Sequence, residues 1–157
     1  MDPITHGVLG AACAQAALGK YDKRIPWQAG ALAGMAPDLD VFIRFSQEPL
    51  SLEQWHRYLT HSLMFIPIGG LVVALFLLCF SQYRKFWKVT IGASIVGYAT
   101  HCLLDSLTSY GTVLFWPWSD SRISWDIISI IDPVFTLPLL LGTAWSVIYQ
   151  NQKAVIA

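Results

Sequence analysis

The chain has 157 residues, 55% of them apolar and 13% charged, about half the charged share of an ordinary soluble domain. Mean hydropathy is +0.51, and ten basic side chains balance ten acidic ones. These values exclude a disordered chain, a nucleic-acid binder carried by excess charge and most cytosolic enzymes, and they point to one membrane-embedded domain over residues 1–157.

The N-terminus, MDPITHG, has no basic region and carries Asp2 where a signal peptide would carry Lys or Arg, so no cleaved signal is expected. Pro3 marks a helix start, with Thr5 as candidate cap and His6 in the first turn. Two Ala- and Gly-rich segments follow, Ile4–Gly19 and Pro26–Pro37. Their small residues allow close helix packing, and Pro37 predicts a break. Ser62–Phe80 is uncharged for nineteen residues, enough at about 1.5 Å per residue to cross a ~30 Å hydrocarbon core. Val89–Thr108 is interrupted by His101 and Asp105, and Pro133–Gln150 is again uncharged. The predicted fold class is all-α: a polytopic membrane protein with three long spans and two shorter segments that span or re-enter. Ile127–Ile131 reads as an amphipathic stretch along the interface, and Asp132-Pro133 as a cap for the last helix. Cys13, Cys79 and Cys102 lie in apolar stretches and read as small core residues.

If each segment reverses direction, Lys20, Lys23, Arg24, Arg84, Lys85, Lys88 and Lys153 share one face. Arg44, Arg57 and Arg122 lie on the other, with all four histidines and nine of the ten carboxylates. The positive-inside rule makes the Lys-rich face and the C-terminus cytoplasmic.

The histidine-bearing face carries the chemistry. His101 and Asp105, spaced i and i+4, project from one helical face and can chelate one metal ion. Asp38 and Asp40 diverge on a helix but converge in a turn, which Pro37 favours, so that one could bridge metals while the other orients a ligand; helix capping in a solvated turn would also explain them. In His56-Arg57-Tyr58-Leu59-Thr60-His61-Ser62, the histidines stand about 140° apart on a helix. His61 is the expected ligand there, His56 a ligand or proton donor, and Arg57, with Arg122, a clamp for developing phosphate charge.

Taken together, THxxxG (Thr5–Gly10), PDxD (Pro37–Asp40), HRxxTHS (His56–Ser62) and HxxxDxxxSYGT (His101–Thr112) resemble the YdjM-type family of membrane-bound metal-dependent hydrolases, sometimes described as LexA-regulated inner-membrane proteins. The resemblance runs from about Asp2 to Pro138, and the family is distantly similar to zinc-dependent phospholipase C and S1/P1-type nucleases. It implies His6, Asp38 or Asp40, His61, His101 and Asp105 as metal ligands. The mixture of His and Asp donors favours Zn²⁺, with Mn²⁺ also compatible. No histidine follows Asp105, so one or two ions suit the donors available.

The expected activity is metal-assisted hydrolysis of a phosphoester, with His56, Arg57 and Asp40 as catalytic candidates. A site at headgroup depth, rimmed by Phe115, Trp116 and Trp118, favours an amphiphilic substrate presented by the bilayer, with no nucleic-acid partner. The rival readings are a metal-ion or proton transporter and a scaffold stabilised by metal. The expected location is the inner membrane, with the site facing outward.

Overall fold

The first helix starts at an acidic cap. The Asp2 carboxylate accepts from the Thr5 amide at 3.0 Å and from the Thr5 hydroxyl at 2.5 Å, and Pro3 fills a position where no N–H is needed. Asp2, not Thr5, is therefore the cap, because the extended Asp2 backbone aims its carboxylate at the exposed amide. The computed structural model describes residues 1–42 and 58–156, the side chains of 41, 42 and 150–156 excepted. The described elements are α1 (Pro3–Leu18), α2 (Ile25–Met35), a 3-10 turn (Pro37–Phe42), a 3-10 turn (Leu63–Phe65), α3 (Ile66–Leu77), α4 (Ser81–Lys85), α5 (Trp87–Ser106) and α6 (Pro133–Ile156).

The architecture is all-α, with no strand among the described residues and two isolated bridges in the segment between α5 and α6. The bundle is built on α1, α2 and α5, with α3 against α5 and α6 against α1. Small residues permit this closeness. A methyl group placed on Gly10 or on Gly97 would come within 2.3 Å of the Gly30 carbonyl oxygen, so three backbones meet where no side chain fits.

The expected helix positions hold for the first two segments, and α2 ends just before Pro37 as that proline requires. The expected spans do not hold as drawn: among the described residues no helix is long and apolar enough to cross a membrane. Ser62–Phe80 is divided. It opens with a 3-10 turn, Pro67 starts α3, and α3 stops at Leu77, where the Arg84 guanidinium donates to the carbonyls of Leu78 and Cys79 at 3.2 Å each. Twelve residues rise only about 18 Å, against the ~30 Å of a hydrocarbon core. α5 is longer but spends its length on polar groups, burying Thr90, Ser94, His101, Asp105 and Ser106. The Ile127–Ile131 stretch is strapped to the end of α5, where the Ile127 and Ile128 amides donate to the Leu107 carbonyl. Asp132 does cap α6, accepting from the Phe135 amide at 3.1 Å. Of the three cysteines, all unbridged, Cys102 is buried as expected while Cys79 is exposed.

The interior mixes small and polar residues with a few large apolar ones such as Leu77, Tyr98 and Leu104, while many large apolar residues face outward. Ala14, Ala29, Ala33 and Ala93 are fully buried beside Thr5, Thr90 and Ser94. Val72, Leu75 and Phe76 on α3, and Val134, Leu137, Leu141 and Trp145 on α6, face outward. Soluble monomers rarely show contiguous apolar faces of this kind.

Candidate metal centre

One end of the bundle gathers the ionisable residues because the chain alternates direction. α1 begins there with His6, α2 runs into it and delivers Asp38 and Asp40 on the following 3-10 turn, and α5 ends there with His101 and Asp105. The opposite ends of the same helices carry Lys20, Arg24 and Lys88. His61 sits just ahead of α3, anchored by the Leu63 amide on the Leu114 carbonyl at 2.9 Å.

Asp38, His61, His101 and Asp105 form a group that could hold a metal ion, each offering one ligand atom within 4.8 Å of the others. The two Nε2 atoms of His61 and His101 are 2.9 Å apart. Asp38 Oδ1 stands 3.4 Å from His101 Nε2 and 3.6 Å from His61 Nε2, and Asp105 Oδ2 stands 3.4 Å from His61 Nε2 and 3.6 Å from His101 Nε2. Tetrahedral zinc with bonds of about 2.0–2.1 Å separates its ligands by about 3.3 Å, which these spacings bracket.

The hydrogen bonds behind the rings decide which atoms face inward. His101 Nδ1 donates to the Gly34 carbonyl at 2.6 Å. The Thr60 hydroxyl donates to Asp40 Oδ2 at 2.6 Å and so accepts from His61 Nδ1 at 2.9 Å. Both rings thereby turn Nε2 toward each other and toward two carboxylates, and as neutral imidazoles each would present a lone pair there. Two imidazoles and two carboxylates, three of the four residues fully buried, could hold a cation between them, and backbone or carboxylate partners behind metal-bound imidazoles are the usual arrangement. Burial pushes the His61 imidazole down to about 4 against the upward pull of Asp38, so the ring is neutral at ordinary pH, as a ligand must be. Burial also works to raise the Asp38 carboxyl, but its contacts with His101 and His61 outweigh it and hold the group well below the usual carboxylate range.

The other candidates take different places. His6 is fully buried beside the group rather than within it: its ring stacks on His101 with centroids 3.6 Å apart, and its Nε2 lies 3.1 Å from Asp105 Oδ1, which the Met1 nitrogen also contacts. Asp40 stands behind His61, where it holds Thr60 and the ring instead of facing the cluster. A second group of three ligands, which a second ion would need, does not occur among the described residues. Arg122 gives its guanidinium to the carbonyls of Tyr110 and Gly111 and stacks on the Tyr110 ring. Phe115 and Trp118 are exposed. His56 and Arg57 lie outside the described residues.

Sequence reasoning missed Thr60 and the Gly34 carbonyl. Thr60 directly precedes His61 and had a legible signal, a hydroxyl adjacent to a ligand candidate; the Gly34 carbonyl had none, because any residue supplies one. Thr60→Val is expected to weaken zinc binding about 10- to 100-fold, with Thr60→Ser close to the parent, in competition titrations against a chelator. Equal affinity in all three proteins would remove the relay from Asp40 to His61.

The fold and this group define a helical bundle with a His/Asp cluster at one end that could hold a metal ion. A family model described as YdjM inner membrane protein matches residues 1–157, and the chain belongs to that family. No curated protein and no solved structure matches it.

Proposed function

We propose that this protein is a membrane-embedded, metal-dependent hydrolase that cleaves a phosphoester of an amphiphilic substrate. The observation that carries the reading is the convergence of two imidazole lone pairs and two carboxylate oxygens on one buried point, with Asp38 alone of the four partly open to the surface. One ion fits this donor set, zinc ahead of manganese. When bound, it would supply Lewis-acid polarisation of a phosphoryl oxygen and a lowered pKa for water at the site. His61, His101, Asp105 and Asp38 would hold it, and the partly open side at Asp38 would let a phosphoester reach the ion. His6 would steady Asp105, while Asp40 and Thr60 would fix the tautomer of His61. His56 remains the proposed proton donor to the leaving group and Arg57 the proposed anion clamp, on sequence grounds.

Membrane embedding is supported by the family description and by the outward apolar faces of α3 and α6. The separation of the cluster from the Lys-rich helix ends supports an inner-membrane orientation with the site outward and the C-terminus cytoplasmic. A second reading has one observation in its favour: four protein ligands already saturate tetrahedral zinc, which suits a structural metal.

The test is metal analysis of detergent-purified protein, followed by assays on long-chain and soluble phosphoesters with zinc or manganese. About one ion per chain and metal-dependent release of phosphate, or of a phosphorylated headgroup, is the expected result. A stoichiometric ion with no hydrolysis of either substrate class would favour the structural metal.

A further inference from the structure

A groove of about 510 Å³ runs between α1, α2 and α6, within the range of about 300–1,000 Å³ common for ligand sites. Its walls include Ile4 and Gly7 of α1, Ala31 and Met35 of α2, and Leu140 and Ala144 of α6. The wall from Trp27 to Met35 extends about 12 Å along the helix axis. Thr143 supplies the lining's one hydroxyl, and that donates to the Leu139 carbonyl of its own helix at 2.7 Å. The groove therefore suits hydrocarbon.

Its position relates it to the metal centre. Ile4 and Gly7 flank His6 on α1, and Met35 lies three residues before Asp38. Asp38 is the cluster's opening, with its side chain 21% exposed while those of His61, His101 and Asp105 are fully buried. Met35 and Leu39, to either side of it in sequence, are both exposed. A tail running from a head at Asp38 past Met35 would enter the groove beside it, with the head's charge met by a cation in the cluster and the tail by a lining whose polar side-chain groups are the Thr143 hydroxyl and the Trp27 indole N–H.

We propose that this groove binds the hydrocarbon chain of the phosphoester substrate, whose phosphate reaches the cluster past Asp38; the assignment of a substrate chain rests on the hydrolase reading. The experiment is photolabelling of zinc-loaded, detergent-purified protein with hexadecyl phosphate carrying a mid-chain diazirine. Hexadecanol with the same diazirine serves as the uncharged control, and adducts are mapped by mass spectrometry. The phosphate probe should label Ala31, Met35, Leu140 or Ala144 several-fold above the exposed α3 residues Val72 and Phe76, while the alcohol labels both faces alike. Ala31→Trp should bring groove labelling down to the α3 level with zinc content unchanged.

Equal labelling of groove and α3 by the phosphate probe, or labelling that Ala31→Trp does not reduce, would overturn the proposal. So would groove labelling by the alcohol that matches the phosphate, which marks a general lipid contact. Selective phosphate labelling without hydrolysis would support the groove as a binding site and count against the hydrolase alone. Hydrolysis with unselective labelling would count against the groove alone.

Discussion

Asp105→Asn is expected to reduce bound metal from about one ion per chain to less than about a tenth, and to abolish any metal-dependent hydrolysis with it. Asparagine keeps the size and shape of the side chain, so helix packing around Cys102 and Leu104 is preserved while the charge is lost. That charge is central: the Asp105 carboxylate meets His61 and His101 through Oδ2, and His6 and the Met1 nitrogen through Oδ1. Asp38→Ala should act more mildly. It leaves two imidazoles and a carboxylate, a three-ligand set of the kind catalytic zinc sites use, and water can reach the vacated position. Metal content by mass spectrometry and helix content by circular dichroism, measured on both variants, check this. Full metal occupancy in folded Asp105→Asn would remove Asp105 from the ligand set.

Gly97→Val is expected to be the most disruptive single change in the bundle. Even its Cβ would sit 2.3 Å from the Gly30 carbonyl oxygen, and Gly30 in turn is pressed against Gly10, so no flexible side chain can give way. Overpacking of this kind costs about 3 kcal/mol or more. For a domain of this size that corresponds to a fall in melting temperature of roughly 6–12 °C. Gly142→Ala is the matched control, since a methyl there meets nothing within 4 Å and alanine favours a helix by about 0.5–1 kcal/mol over glycine. Thermal unfolding in detergent should separate the two variants clearly. Equal melting temperatures would mean that α1, α2 and α5 are not locked together at these glycines.

Much of the site was legible because its signals are local. HxxxD on a helix puts His101 and Asp105 on one face by geometry alone, and Pro37 forces the turn that carries Asp38 away from α2. His61 stood out as a histidine beside an apolar stretch. His6 and Asp40 were recognised as members of the constellation, and the fold sets His6 against His101 and Asp105 and Asp40 behind His61. Spacing shows that a residue can reach a site, whereas the packing of three helices decides whether it points into the cluster or supports a neighbour. The same limit explains the spans. Hydropathy reads Ser62–Phe80 as continuous, yet its helix stops at Leu77, and the two carbonyls beyond it are met by Arg84, whose reach back depends on the turn at α4.

The amino-acid sequence by itself determined the helical class and the separation of charge between helix ends, which follow from periodicity and composition, and it singled out His101 and Asp105 by i, i+4 spacing and His61 by its place in a histidine-rich junction and by the family resemblance. It also named Asp38, the fourth, without separating it from Asp40. Tertiary structure alone decided that choice, the stacking of His6 behind His101, the tautomers set by Gly34 and Thr60, and the groove beside Met35. These depend on side-chain directions and backbone carbonyls brought together across α1, α2 and α5 by close glycine contacts, and no local pattern in a chain records where a distant carbonyl will stand.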